Sequence, residues 1–213
     1  MTKRILFDLD GTLTDSGEGI LNCVELVLNH FGLPIPKREA LHVFIGPPLK
    51  EMFPKFGVPV DRVDEAVAVY RSRYTTVGKY ENHPYDGIAE LLQTLKQQGN
   101  RLFVATSKPE TMAIDILNRF ELAPYFEAIV GATLDDSRNN KSAVIAHLLN
   151  TTDGNEPIVM VGDTAFDVIG AAEHGIPTIG VSWGYGQVEE MQRAGAAAIA
   201  HSPAELLEQL QTH

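Results

Sequence analysis

Six short apolar runs, rich in β-branched residues, alternate with helix-period segments along this 213-residue chain. The runs lie at 4–9, 101–105, 128–130, 158–161, 178–181 and 197–200. Helix-period stretches follow most of them, at 110–120, 141–149, 165–174, 188–194 and 204–211. Such alternation predicts an α/β fold with a mainly parallel sheet. The runs are almost continuously apolar, the pattern expected of strands covered on both faces.

One gap breaks the rhythm. From residue 10 to residue 100 there is little strand signal. Apolar residues at Ile20, Val24, Val27, Leu28 and Phe31 mark a helix over 15–31. Asp15 and Glu18 fit a capping box for it, and Gly32 fits its stop. Val60, Val63, Val67, Tyr70, Tyr74 and Val77 mark a second amphipathic helix, and another is expected over 50–56. Residues 15–85 therefore read as an all-helical insertion with its own small core. The remaining 1–14 and 86–213 form the sheet domain. Hinges are expected at 15–17 and 83–85, with a helix over 87–98 returning the chain to the sheet.

Composition narrows the class of function. Net charge is −11, and neither a basic cluster nor an aromatic-basic interleave is present, which argues against nucleic acid. No apolar stretch approaches the ~18 residues of a membrane span, and the start does not resemble a signal peptide. Cys23 is the one cysteine, so no internal disulfide can form. A cytoplasmic enzyme, monomeric or weakly dimeric, is expected. An anionic substrate stays compatible with the charge, because a bound divalent cation can reverse the local field.

In an open parallel sheet, ligands bind beyond the carboxyl ends of the strands. The polar residues following the apolar runs are therefore the candidates. They are Asp8 and Asp10 after the first run, Thr106 and Ser107 after the second, and Asp163 and Asp167 after the fourth. Lys141 opens a helix between the second and third sets, with Lys108 a rival for the cationic role. A carboxylate nucleophile, a metal-binding acid, a hydroxyl donor and a fixed ammonium suit phosphoryl transfer. An isolated D-x-D commonly caps a turn. The full D-x-D-G-T of residues 8–12 is expected by chance on the order of once in several hundred chains of this length.

Four motifs in order, DLDGTL at 8–13, Thr106 in VATSK, Lys141, and GDTAFD at 162–167, resemble the haloacid dehalogenase-like (HAD) hydrolase superfamily. FIGPPL at 44–49, ATSKP at 105–109 and GYG at 184–186 further resemble its phosphoglycolate phosphatase-like subgroup, which includes proteins called 5'-nucleotidases. The resemblance implies a Rossmann-like parallel core with a mobile helical cap inserted between the first and second motifs. It implies Asp8 as nucleophile, forming an aspartyl-phosphate, and Asp10 as general acid and base. Mg2+ would bind Asp8, the Asp10 carbonyl and Asp163, with Asp167 in or beside that shell. Thr106 and Lys141 would hold phosphoryl oxygens. Gly11, Thr12, Ser107 and Lys108 would line the phosphate site, and Gly11 would let the backbone turn there. One departure is that Ser142 follows Lys141, where many relatives carry proline.

The substrate implied is a small phosphorylated metabolite, 2-phosphoglycolate first and nucleoside 5'-monophosphates second. A sugar-phosphate mutase of the same superfamily would share both aspartates and the cap. A phosphoryl-accepting regulatory module also combines Asp, Thr and Lys, but would not need the insertion. Specificity is expected from the cap. Gly46, Pro47 and Pro48 suggest a lid, and Lys50 beside them can meet an anionic substrate tail or lie solvated on its helix. Arg71 and Arg73 can sit on an exposed helix face. Trp183 and Tyr185 fit either a site rim or packing of cap on core.

Overall fold

The computed structural model describes residues 2–135 and 137–212. The chain runs through β1 (Arg4–Phe7), β2 (Thr14–Asp15), α1 (Gly17–His30), α2 (Arg38–Leu41), α3 (Leu49–Met52) and α4 (Val63–Tyr74). It continues through β3 (His83–Pro84), α5 (Ile88–Gln97), β4 (Arg101–Pro109), α6 (Glu110–Arg119), β5 (Ala128–Ala132) and α7 (Lys141–Thr151). The last third comprises β6 (Ile158–Gly162), α8 (Ala165–Ala172), β7 (Thr178–Val181), α9 (Val188–Arg193), β8 (Ala198–Ala200) and α10 (Pro203–Thr212). Six strands form one parallel sheet in the order β5-β4-β1-β6-β7-β8. Among the described residues no helix is long and apolar enough to cross a membrane.

The apolar runs follow from two-sided burial. In β1, Ile5 and Phe7 join a core cluster with α5, α6 and α10, while Leu6 joins a second with α7 and α8. Successive side chains point to opposite faces. Both faces are covered, so no polar alternation can develop.

Register then sets the site. Phe7 lies opposite Val104 of β4 and Val161 of β6. Asp8, Thr106 and Asp163 come one or two residues later, so they emerge together at one edge. The Asp8 N–H donates to the Val161 carbonyl at 2.9 Å, extending the ladder by one bond.

The helices between β2 and β3 gather a third apolar cluster, built on Val24, Leu28, Leu41, Phe53, Val67 and Tyr70 among others. Met112 of α6 belongs to it, which joins the insertion to the sheet layer. Both ends of the insertion leave from one place. Thr14 pairs with Pro84 and Asp15 with His83 in an antiparallel ribbon, where the sequence suggested only hinges.

Several element boundaries differ from the sequence reading. The 15–31 helix begins at Gly17, and no Asp15–Glu18 capping box forms: Ser16 is the N-cap residue without a side-chain cap bond. Asp15 is held in the ribbon, where its carboxylate accepts from the Gly17 N–H at 3.2 Å and from the Tyr185 hydroxyl. The 60–77 pattern yields a helix only over Val63–Tyr74, and Val60 is 80% exposed. The 50–56 segment splits into α3 and a 3-10 turn, Phe53–Phe56. Pro54 lacks the N–H that a continuing α-helix needs. β4 runs to Pro109, with a register shift between Ala105 and Pro109. Thr106, Ser107 and Lys108 thus sit within an irregular stretch of strand rather than after it, and such irregularities re-aim side chains.

Candidate active site

Residues 9–14 fold tightly after β1. The N–H groups of Thr12, Leu13 and Thr14 all reach the Leu9 carbonyl, and the Gly11 N–H donates to Thr14. Gly11 has φ +80°, and a Cβ there would lie 2.2 Å from an Asp163 oxygen. Only glycine meets both demands. Gly184 is pressed on the same carboxylate, with a Cβ placed 2.3 Å from it.

Lys141, buried at the start of α7, ties the centre together. Its Nζ lies 2.8 Å from Asp8 Oδ1, 2.7 Å from Asp167 Oδ1 and 2.9 Å from the Ala105 carbonyl oxygen. Burial works against its charge, but Asp167 and Asp8 outweigh that and push the ammonium pKa up. Asp8 Oδ1 also accepts from the Leu9 N–H at 2.7 Å. Burial raises the Asp8 pKa to about 6, with Lys141 opposing and Asp167 reinforcing.

Asp167 is wholly buried and doubly used. Its Oδ2 accepts from the Thr164 N–H at 3.0 Å and hydroxyl at 2.8 Å, closing the start of α8. Asp163, also wholly buried, accepts from the Tyr185 N–H at 2.8 Å and more loosely from the Thr12 hydroxyl at 3.3 Å. Burial, then Asp167 and Asp8, hold its pKa well above the usual carboxylate range.

Asp8, Asp163 and Asp167 each offer one oxygen, and the three lie within 4.8 Å of one another. Lys141 pairs with two of these buried carboxylates, so one ammonium offsets part of their mutual repulsion and a divalent cation would offset more. Hard carboxylate oxygens are the donors magnesium prefers, so the residues fit that ion. Asp10 faces elsewhere. Both its carboxylate oxygens meet Lys108 Nζ, at 2.8 and 2.7 Å, and that ammonium also lies 4.9 Å from the Tyr74 ring centre. The two lysines are therefore divided, Lys141 on Asp8 and Lys108 on Asp10.

A cavity of about 220 Å³ opens over these groups. Asp8, Asp10, Thr106, Ser107 and Lys108 line its floor, and Phe44, Pro47, Val67, Tyr70 and Arg71 line it from the insertion. Lys50 also lines it, 3.1 Å from Asp64. Thr106 is buried and accepts from the Lys108 N–H at 3.2 Å. Gly11 and Thr12 do not line this cavity; they lie beside Asp163. A neighbouring cavity of about 360 Å³, between α7 and α8, shares Ser107 and the 46–48 loop.

Residues 5–181 match the haloacid dehalogenase-like hydrolase family. The chain belongs to that family. It is 42% identical over 202 residues to a 5'-nucleotidase of Pseudomonas aeruginosa, covering 94% of this chain and 88% of that one. It is equally 42% identical over 201 residues to the tyrosine-protein kinase PtkA of Mycobacterium tuberculosis, covering 94% and 69%. The crystal structure of a predicted phosphatase from Clostridium acetobutylicum superposes with a TM-score of 0.94 at 40% identity, over 100% of both chains.

Two residues gain weight that sequence reasoning left open. Tyr185 donates to Asp15, accepts from the Gly17 N–H at 2.7 Å and packs edge-on to His42 at 5.6 Å. Trp183 Nε1 donates to the Thr12 carbonyl at 3.1 Å. Residues 183–185 therefore bind the 9–14 loop, Asp163 and the root of the insertion at once. The aromatic pair within a glycine-rich stretch was the available signal. Arg71, left above on an exposed face, instead lines the cavity.

Proposed function

We propose that this HAD-family hydrolase is a Mg2+-dependent phosphatase for small phosphomonoesters. The observation that carries the reading is the double pairing, Asp8 with Lys141 and Asp10 with Lys108, with Asp8, Asp10 and Lys108 lining one cavity and Asp8 shared with a three-carboxylate cluster. Residues 15–85 act as a cap that covers the leaving group, and 1–14 with 86–213 supply the catalytic core.

Asp8 is the nucleophile. Its Oδ1 carries the contacts to Lys141 and Leu9, so Oδ2 is the oxygen that attacks phosphorus. The new P–O bond forms as the bond to the alcohol breaks, and Asp10 gives the leaving oxygen its proton. Asp10 then takes a proton from water, whose oxygen displaces Asp8 and releases phosphate. Lys141 and the Thr106 hydroxyl meet the charge on the phosphoryl oxygens. The magnesium ion, held by Asp8, the Asp10 carbonyl and Asp163, with Asp167 behind them, would supply Lewis-acid charge neutralisation. Lys141 keeps Asp8 oriented, and a closed cap excludes bulk water.

The cavity falls below the ~300–1,000 Å³ of drug-sized sites, which favours a compact alcohol. 2-Phosphoglycolate is therefore the first substrate to try. Nucleoside 5'-monophosphates come second, on the similarity to a 5'-nucleotidase. Equal identity to a protein named as a kinase means that sequence likeness alone does not choose the phosphoryl acceptor. The test is release of phosphate from an aryl phosphate by purified protein. Release should require magnesium and vanish in Asp8→Asn with the fold retained. Turnover surviving that substitution would defeat the mechanism. Conversion of a hexose 1-phosphate to its 6-phosphate would favour a mutase.

A further inference from the structure

Three cations line the cavity over Asp8 and Asp10, and two have carboxylate partners. Lys108 is held by both oxygens of Asp10, and Lys50 lies 3.1 Å from Asp64. Arg71, on α4, differs. Its carbonyl accepts the expected helix-end bonds from Thr75, but its guanidinium has no hydrogen bond, ion pair or ring partner among the described residues. Two residues on, Arg73 makes a two-pronged pair with Glu81 at 2.7 Å for each prong. The chain carries 28 acidic side chains against 17 Lys and Arg, so a shortage of carboxylates does not explain an arginine without a partner among the described residues.

Position adds to this. Arg71 is part-buried and faces the same space as the nucleophile. Ile20, Phe44, Val67 and Tyr70 supply an apolar wall beside it. Among the described residues, Glu51 is the acidic residue lining this space besides Asp8 and Asp10, and it is exposed. A planar fork of donors in a partly water-excluded cavity suits a carboxylate or phosphoryl group, which it can grip with two parallel hydrogen bonds.

We propose that Arg71 recognises an oxyanion on the alcohol that leaves. The favoured substrates are then phosphomonoesters of hydroxy acids or of alcohols bearing a second phosphoryl group. Esters of neutral alcohols are the poorer class. The phosphoryl end lies at Asp8, the carbon body rests on the apolar wall, and the second anion meets the guanidinium. The proposal rests on the phosphatase reading above and deepens it.

The experiment compares 2-phosphoglycolate, ethylene glycol bisphosphate and 2-hydroxyethyl phosphate on the full chain, with an aryl phosphate as the reference ester. Wild-type protein should favour at least one of the two anionic esters over the hydroxyethyl ester by about 10–100-fold in kcat/KM, as a charge-assisted pair implies. Which anionic ester leads identifies the carboxylate or the phosphoryl group as the ligand. Arg71→Gln should bring the ratio near one, mainly through KM. Arg71→Lys should retain part of the preference, and it carries the test if the glutamine variant does not fold. An unchanged ratio in the folded variants, or a wild-type preference for the neutral ester, overturns the assignment. Aryl phosphate turnover beside either of those results, or beside a wild-type ratio near one, overturns the Arg71 assignment alone. Absence of turnover on every ester overturns the phosphatase reading and this proposal with it.

Discussion

Lys108 shows what one side chain can settle. Its ammonium grips both oxygens of Asp10 and lies over the Tyr74 ring, 4.9 Å from its centre. On the acid-base role proposed for Asp10, Lys108→Met should leave the fold intact and lower kcat by about 10–100-fold, because such a group contributes ~10²–10⁴ only when it is positioned. Steady-state kinetics on the aryl phosphate, with circular dichroism as the fold check, measures this. At this scale the sequence was most legible where chemistry demands a residue type. Asp8 and Asp163 directly follow β1 and β6, and Asp167, in the first turn of α8, joins them in the three-carboxylate cluster. Arg71 was illegible: a lone arginine on an amphipathic helix has no pattern, and only tertiary packing shows that its guanidinium has no partner among the described residues. The division of labour between Lys108 and Lys141 was also hidden, since it depends on where the irregularity after Ala105 aims the chain.

Elements of the insertion are joined by polar contacts that the sequence did not display. Arg73 on α4 reaches Glu81, just before β3, through two bonds of 2.7 Å. The Arg73 hydrogen bonds hold the Glu81 pKa below its usual value, with burial opposing. A lowered acid pKa stabilises the fold above the ordinary carboxylate range near 4.5 and loses that contribution as pH falls through and below it. Glu81→Gln should therefore lower stability at pH 7 by about 1 kcal/mol, allowing for the partial exposure of the pair. Denaturant melts at pH 7 and pH 3.5 should show the difference shrinking at the lower value. Periodicity revealed the helices themselves because the 3.6-residue repeat is local. The ribbon of β2 and β3 escaped it: two-residue strands carry no period, and their pairing joins residues nearly 70 positions apart.

At the scale of the whole molecule, one sheet edge collects the chemistry and the insertion roofs it. Lys141 offsets only part of the charge on the Asp8, Asp163 and Asp167 carboxylates, so a divalent cation should stabilise the fold measurably. At one hundred times its dissociation constant, magnesium should add about 2.7 kcal/mol. A thermal melt would show this as a rise in Tm, and Asp163→Asn should abolish most of the rise. The parallel sheet was readable from unbroken apolar runs, whereas its strand order required the coordinates, because register and neighbours are long-range properties. The clasp of Thr14 with Pro84 and Asp15 with His83 has a consequence for descent. An excursion that departs and re-enters at adjacent points can lengthen, shrink or be exchanged between genes while the strands beneath it keep their alignment. On the proposed function, selection can then alter which alcohols are accepted by rewriting the chain above the clasp, and leave the phosphoryl chemistry below it untouched.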